Sequence, residues 1–256
     1  MSSENFRLYS AYYNLLYKDK DYKGEVNYIE SLFTKFSITK IRSILNLGCG
    51  TGNHDLLFAE RNYDVLGVDI SEGMIDTANK RITDLENSKI SFSKADIRNF
   101  RSQKKFDAVL SLFHVMSYQT ADKDLEQVFQ TANEHLSKGG LFIFDCWHGP
   151  AVLADPPIIK IKEVEDEQIE VKRKATPVIH TDEKVVDVNF EILVKDKKTG
   201  EEQKFNELHR MRYLFEAELN KISAGIGFSN KGSFRWLSKD LPDTKSWNVV
   251  YIFQKN

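Results

Sequence analysis

The chain has 256 residues, of which 41% are hydrophobic and 29% charged, a soluble globular composition that excludes disordered, collagen-like and fibrous chains. Lys and Arg number 36 against 38 Asp and Glu, and a net charge of −2 leaves no electrostatic footprint for duplex nucleic acid. No apolar run approaches the roughly 18 residues of a membrane span, the opening residues lack the apolar core of a secretory signal, and the two cysteines, Cys49 and Cys146, exclude a disulfide scaffold and a four-cysteine zinc site; a cytoplasmic enzyme or binding protein is expected.

The opening segment concentrates Tyr9, Tyr12, Tyr13, Tyr17 and Tyr22. Amphipathic tyrosines either pack a terminal helix on the core or lid a site with phenol oxygens facing inward. The lid reading is taken here, with Tyr13 as the first candidate. Ile29, Leu32, Phe33 and Phe36 predict a helix over 24–36. Residues 42–47 form a short apolar run ending in glycines, which predicts a buried strand, with a helix starting near His54. A second strand is expected at 63–69. Ser71 then sits at an N-cap position, ahead of a helix with Ile75, Ala78, Ile82 and Leu85 on one face. Strands are expected at 90–95, 106–112 and 141–145. A helix over 122–136 buries Leu125, Val128, Phe129, Ala132 and Leu136, and Ser137-Lys138-Gly139-Gly140 predicts its glycine cap. Strands alternating with helices imply parallel pairing with helices on both faces.

Past Pro150 the pattern changes. Val186, Val188, Phe190, Ile192 and Val194 alternate with polar neighbours, the period of a half-exposed strand. Further strands are expected at 158–172 and 203–214, with Lys198-Thr199-Gly200 as a turn. A helix over 215–224, ended by Gly225 and Gly227, and strands at 232–237 and 247–254 finish the chain. The expected organisation is a single α/β domain over 1–256. It comprises an N-terminal helical lid (1–37), an α/β core (38–157), an antiparallel β extension (158–214), and the last helix and strands of the core (215–256).

Gly48-Cys49-Gly50-Thr51-Gly52 follows a strand and precedes a helix, where glycines let the backbone approach a ligand closely. The spacing is G-x-G-x-G. The dinucleotide fingerprint wants its last glycine where Asn53 stands, and no phosphate-loop motif is present. Asp69 ends the second strand, placed to accept ribose hydroxyls, and Asp96 ends the third, placed to accept from an adenine amino group. Either aspartate alone would read as a solvated strand end; the three successive strand ends together read as a nucleoside site.

In order and spacing, ILNLGCGTGNHD, VLGVDIS, KADIRNF, FDAVLSLF and LSKGGLFIFD resemble the motifs of class I S-adenosylmethionine-dependent methyltransferases. The resemblance covers about residues 40–146 and the final strands. It implies a Rossmann-like, seven-stranded sheet with an antiparallel last strand, and S-adenosyl-L-methionine as cofactor, released as S-adenosyl-L-homocysteine. Gly48, Cys49, Gly50 and Gly52 would pack against its methionine part. Asp69 would take the ribose, Ile70 and Met74 would line the adenine, Asp96 and Ile97 would read its edge, and Leu112 and Phe113 would sit on the substrate side. Many members carry an acidic residue where this chain has Asn46, whose oxygen still accepts a hydrogen bond.

Methyl transfer needs alignment first and a base second. His114 is a candidate general base, or a satisfied structural histidine. Tyr118, in the same turn after the fourth strand, is a candidate acceptor contact. Asp145, Trp147 and His148 follow the fifth strand and would line the substrate pocket, with core packing as the alternative for Trp147. Arg210, in the extension, would bind a phosphate bidentately or form a surface ion pair. Lys172-Arg173-Lys174 reads as a solvated strand face. No metal cluster is apparent.

AYYNLLYKDKDY, FHVMSY, DCWHGPAV and LHRMRYLF resemble the nucleotide-linked amino-sugar N-methyltransferases. That resemblance implies transfer to the amino group of a nucleotide-linked sugar, with Tyr13 near the sulfonium and Tyr118 near the amine. The charge balance points to no nucleic-acid partner and the lack of an apolar span to no membrane partner, and a monomer or a homodimer is equally expected. O-methylation of a sugar or other small hydroxyl is the alternative, and a cofactor-binding protein without transfer activity is a third reading.

Overall fold

The structure, a computed structural model, describes residues 12–83 and 89–256. Tyr9 and Leu85 lie outside the described residues. A helical stretch at residues 12–16 leads into helix α1 (Tyr22–Phe36). Strands β1 (Ser43–Leu47), β2 (Asp64–Asp69) and β3 (Ile90–Lys94) then alternate with helices α2 (Asn53–Glu60) and α3 (Glu72–Ile82). Strands β4 (Phe106–Ser111) and β5 (Leu136–Trp147) flank helix α4 (Asp122–His135). After a short helix α5 (Gly149–Ala154) come β6 (Lys160–Glu165), β7 (Ile169–His180), β8 (Val185–Asp196) and β9 (Glu202–Arg212), then helix α6 (Glu216–Ile226) and strands β10 (Phe228–Arg235) and β11 (Asn248–Lys255).

The main sheet has the order β3-β2-β1-β4-β5-β11-β10. β1 pairs in parallel with both β2 and β4, while β11 runs antiparallel to β5 and β10. The chain winds one way from β1 to β3 and the other way through β4 and β5. The reversal between β1 and β4 is the topological switch point, where such sheets place ligands at their carboxyl ends. Both faces are closed by apolar packing. Val26, Ile29 and Phe33 of α1 and Phe58 of α2 bury one face. Leu125, Val128 and Phe129 of α4 and Leu219 of α6 bury the other, with Phe129 edge-on to Phe142, Phe144 and Phe253.

The second sheet, β6-β7-β8-β9, is antiparallel throughout. Its inner face carries Val171, Val186, Val188, Ile192 and Val194, buried as the alternation predicts. Residues 158–172 are two strands rather than one. Asp166 Oδ1 accepts the amides of Gln168 and Ile169, both at 2.8 Å, and this local turn folds the chain back. Cross-strand pairs such as Lys172–Glu163 (2.7 Å) fill the outer face with charge, so the apolar period is faint.

The expected glycine cap of α4 is not formed. β5 begins at Leu136 itself, and Gly139, at φ +78°, lies within that strand. Lys255 Nζ donates to the carbonyls of Asn133 (2.6 Å) and Leu136 (3.0 Å), satisfying groups that a glycine cap would otherwise serve.

Candidate active site

One cavity of about 1270 Å³ lies at the switch point, between the carboxyl ends of the main sheet, the segment 12–22 and the inner face of the second sheet. Its floor is the turn after β1. Gly48, Gly50 and Gly52 take φ of +83°, +57° and +76°, conformations that strain any side chain. A Cβ on Gly48 would lie 2.5 Å from Val115 Cγ1, and one on Gly52 the same distance from Phe92 Cζ; at Gly50 it would meet nothing within 4 Å. The amides of Gly48 and Cys49 both donate to the Val68 carbonyl (2.7 and 3.0 Å), tying the turn to β2. Asp69, at the end of β2, accepts from Gly50 N (2.9 Å) and Ser71 N (2.8 Å), and burial pushes its carboxyl above the ordinary range.

Behind the turn, Asn46 Nδ2 donates to Asp55 Oδ2 at 2.8 Å. Both side chains are buried, and Asn46 Oδ1 and Asp55 Oδ1 have no partner. Burial, assisted by the charge of Asp69, raises the Asp55 carboxyl from 3.8 to about 7. Ile70, Met74, Ile97 and Leu112 line the cavity as expected. Asp96 lines it too, but its carboxylate is gripped by Arg98 through Nε (3.0 Å) and Nη2 (2.6 Å), which holds it below the ordinary range.

Beyond β4, Phe113 and His114 both have positive φ, +67° and +63°. Asp145 explains how this strained turn persists. Its Oδ1 accepts Phe113 N (2.6 Å), its Oδ2 accepts His114 N (3.2 Å), and Oδ2 lies 2.7 Å from His114 Nδ1. Asp145 is 1% exposed and lies outside the cavity wall, so the expectation of a substrate-lining carboxylate is corrected. It holds the turn through the two amides and places its charge beside the imidazole, although His114 Nδ1 makes no hydrogen bond to it. Trp147 lines the cavity, 5.5 Å from the Trp247 ring. His148 does not. It is buried at the start of α5, its amide donating to the Trp247 carbonyl (2.9 Å), and burial lowers its pKa.

The segment 12–22 closes the cavity from the side. Thr51 Oγ1 donates to Asn14 Oδ1 (3.1 Å), and Tyr12, Leu15 and Leu16 are buried against Val171, Ile192 and Val194 of the second sheet. Tyr13 and Tyr17 both line the cavity, their rings 4.9 Å apart, with Tyr17 edge-on to Phe113 at 5.0 Å. Glu25 anchors the far end. Burial alone would raise its carboxyl, but hydrogen bonds from His54 and Lys20 outweigh that and hold it at about 2.

The roof departs from expectation. Arg210 points to the outer face, paired with Glu183 and with Asp187 (3.4 Å), and does not line the cavity. Strand parity explains this, since Arg210 stands between inward His209 and Met211. The same parity turns Arg173 inward, where its Nη1 donates to the Tyr17 hydroxyl at 3.1 Å. Sequence reasoning assigned Arg173 to a solvated face and did not single out Glu207. His209 Nε2 donates to Glu207 Oε2 (3.0 Å), Nδ1 accepts the Tyr118 hydroxyl (2.6 Å), and Tyr12 donates to Glu207 Oε1. This chain links the turn after β4 to roof and lid. Counting every second residue from Val171 and from Met211 finds all three roof residues. Nothing local marks Asp55, which meets Asn46 only through the fold.

The sheet order, the glycine turn after β1 and the acidic end of β2 define a class, and residues 44–140 match the family model described as methyltransferase domain. Over that stretch the chain is similar to a methyltransferase domain. Over 145 residues it is 32% identical to dTDP-3-amino-3,4,6-trideoxy-alpha-D-glucopyranose N,N-dimethyltransferase of Streptomyces venezuelae, covering 56% of this chain and 59% of that protein. Over 154 residues it is 25% identical to dTDP-4-amino-2,3,4,6-tetradeoxy-D-glucose N,N-dimethyltransferase of Saccharopolyspora spinosa, covering 60% and 59%. The chain thus spans less than two thirds of the length of these curated relatives. The crystal structure of a S-adenosylmethionine-dependent methyltransferase from Clostridium acetobutylicum superposes with a TM-score of 0.81 at 20% identity over 98% of each chain, which shows a shared fold.

Proposed function

We propose that this protein transfers the methyl group of S-adenosylmethionine to a small polar acceptor, and that the acceptor is the amino group of a nucleotide-linked sugar. The observation that carries this reading is the single cavity joining the glycine turn to the His114–Asp145 turn. At about 1270 Å³ it exceeds the roughly 300–1,000 Å³ typical of a one-ligand pocket, leaving room for cofactor and acceptor together. The residues present fit the cofactor. Gly50 offers backbone with open space before it, Asp69 offers a carboxylate for hydroxyls, and Asn46 holds an acceptor oxygen without a partner. When bound, S-adenosylmethionine supplies a methyl on a sulfonium that leaves as a neutral thioether.

The protein's part is placement. Asn46 and the backbone of Gly48 to Gly52 hold the amino-acid end, Asp69 the ribose, and Ile70, Met74, Asp96 and Ile97 the adenine. Tyr13, Tyr17 and Phe113 exclude water beside the reacting centre, and Trp147 and Tyr118 flank the acceptor. Such alignment supplies roughly 7–11 kcal/mol of a barrier. His114, with Nδ1 beside Asp145, would receive the proton that the acceptor loses; a neutral amine sheds it after transfer and gains little from the base, whereas for a hydroxyl the role is worth about 10²–10⁴-fold. The names of the dimethyltransferase relatives favour the amine. The His114–Asp145 pair favours a second reading, transfer to a hydroxyl, because a hydroxyl nucleophile depends on a base throughout.

The test is turnover followed by mass spectrometry, with nucleotide-linked amino sugars and their hydroxyl counterparts offered alongside S-adenosylmethionine. Methylated amine with S-adenosylhomocysteine in equal amount is expected. Methylation of the hydroxyl compounds alone establishes the second reading, and binding without turnover on either set leaves a cofactor-binding protein.

A further inference from the structure

The β6–β7 part of the inner face of the second sheet carries cations without carboxylate ion pairs. By strand register, Lys162 of β6 stands beside Arg173 of β7, and Lys160 stands beside Ala175 one row on. Lys160 and Arg173 line the cavity; Lys162 donates instead to the Leu16 carbonyl. Among the described residues none of the three forms an ion pair with a carboxylate. On the outer face of the same sheet Lys172, Lys174 and Arg210 each have one, at 2.7 Å from Glu163, 3.0 Å from Glu191 and 3.4 Å from Asp187. Glu207, in the neighbouring inner row, is engaged by Tyr12 and His209. At the β6–β7 end of this face the cations stand clear of Glu207, which lies across the sheet on β9, and beside low-dielectric packing they raise the local potential and concentrate anions there.

Arg173 is also held ready. Its guanidinium lies over the Phe190 ring, 4.7 Å from the centroid, and gives one N–H to the Tyr17 hydroxyl (3.1 Å), while further N–H groups stay available. Tyr17 in turn is edge-on to Phe113. The cationic wall therefore stands one aromatic ring away from the turn that carries His114.

We propose that Arg173, with Lys160, forms the subsite that receives the phosphoryl group of the acceptor. The inference rests on the cavity taking both cofactor and acceptor. Two cations on the wall, with a third beside them, match the multiple charge of a diphosphate better than the single charge of a carboxylate, and a guanidinium fork fits phosphate oxygens two at a time. Arg173 thereby selects phosphorylated acceptors over free sugars.

The experiment is calorimetry on the full chain saturated with S-adenosylhomocysteine, titrated with thymidine diphosphate, inorganic pyrophosphate and thymidine. Thymidine diphosphate is expected to bind, pyrophosphate to compete with it, and thymidine to bind far more weakly. Arg173→Leu is expected to weaken thymidine diphosphate binding about 30-fold, as loss of a charged hydrogen-bonding partner does. Lys160→Ala, at an exposed position where folding is not at stake, is expected to weaken it about threefold. S-adenosylhomocysteine affinity stays within about twofold in both variants, and raised salt weakens the diphosphate but not thymidine. Unchanged diphosphate affinity in both variants overturns the subsite, and so does thymidine binding as tightly as its diphosphate. Failure of S-adenosylhomocysteine to bind the wild type instead overturns the reading of the cavity, whereas tight S-adenosylhomocysteine binding without diphosphate binding overturns the subsite alone.

Discussion

Asp55→Asn is the substitution with the sharpest expected signature. Asp55 is fully buried behind the glycine turn, with one oxygen accepting from Asn46 and the other unpartnered. Burial raises its carboxyl from 3.8 to about 7. At about 1.4 kcal/mol per pKa unit, ionised Asp55 costs the fold ~4 kcal/mol. The folded protein keeps this proton between pH 4 and 7, whereas the unfolded chain has already released it. Stability from the protonated form is thus fully present below pH 4 and lost as pH rises through 7. Asparagine keeps an oxygen for Asn46 and carries no charge. Linkage between the two pKa values makes the variant's advantage grow by ~2–3 kcal/mol from pH 5 to pH 8, or roughly 5–10 °C in Tm for a chain of this size. Thermal unfolding by circular dichroism across that range reads it directly. A difference that stays flat, or shrinks as pH rises, refutes the reasoning. Because Asp55 is protonated below pH 7, the same variant is expected to leave S-adenosylhomocysteine affinity nearly unchanged at pH 6.

Gly48→Ala places a Cβ 2.5 Å from Val115 Cγ1 on a backbone at φ +83°, and should lower Tm by several degrees, with partial recovery when Val115→Ala is added. His114→Ala is expected to reduce kcat by about 10²–10⁴-fold if the acceptor is a hydroxyl, and far less if it is a neutral amine. Asp145→Ala releases the strained turn as well as the imidazole, so its effect and that of His114→Ala should combine non-additively in a double-mutant cycle. Glu25→Gln should destabilise the protein at neutral pH. Because the carboxyl sits at about 2 in the fold against an ordinary 4.5, that deficit should fade as pH falls from about 4.5 towards 2, read by unfolding at matched pH values.

Much of the main sheet was legible because each element has a local signal. β1, β2, β4 and α4 follow from short apolar runs and helical spacing, and Ser71 caps α3 as expected, its oxygen accepting from Met74 N (3.4 Å). The glycine turn and Asp69 were legible because strand ends at a switch point are where such sheets bind ligands. What sequence could not show depends on partners distant in the chain. Lys255, over a hundred residues away, makes a glycine cap on α4 unnecessary. Asp145 belongs to His114 rather than to a substrate because β4 and β5 are neighbours. Arg210 and Arg173 exchange roles because side chains alternate along a strand, and a parity count through charged β7 requires knowing where the hairpin at 166–168 falls.

The central claim is that the glycine turn and Asp69 grip an adenosyl sulfonium. Calorimetric titration of S-adenosylhomocysteine into wild type and Asp69→Ala tests it most directly, with the fold of each verified by circular dichroism. Binding by the wild type and a loss of about 100-fold in the variant are predicted, the effect of removing a charged acceptor from two hydroxyls. Equal affinity in the two proteins would contradict the account.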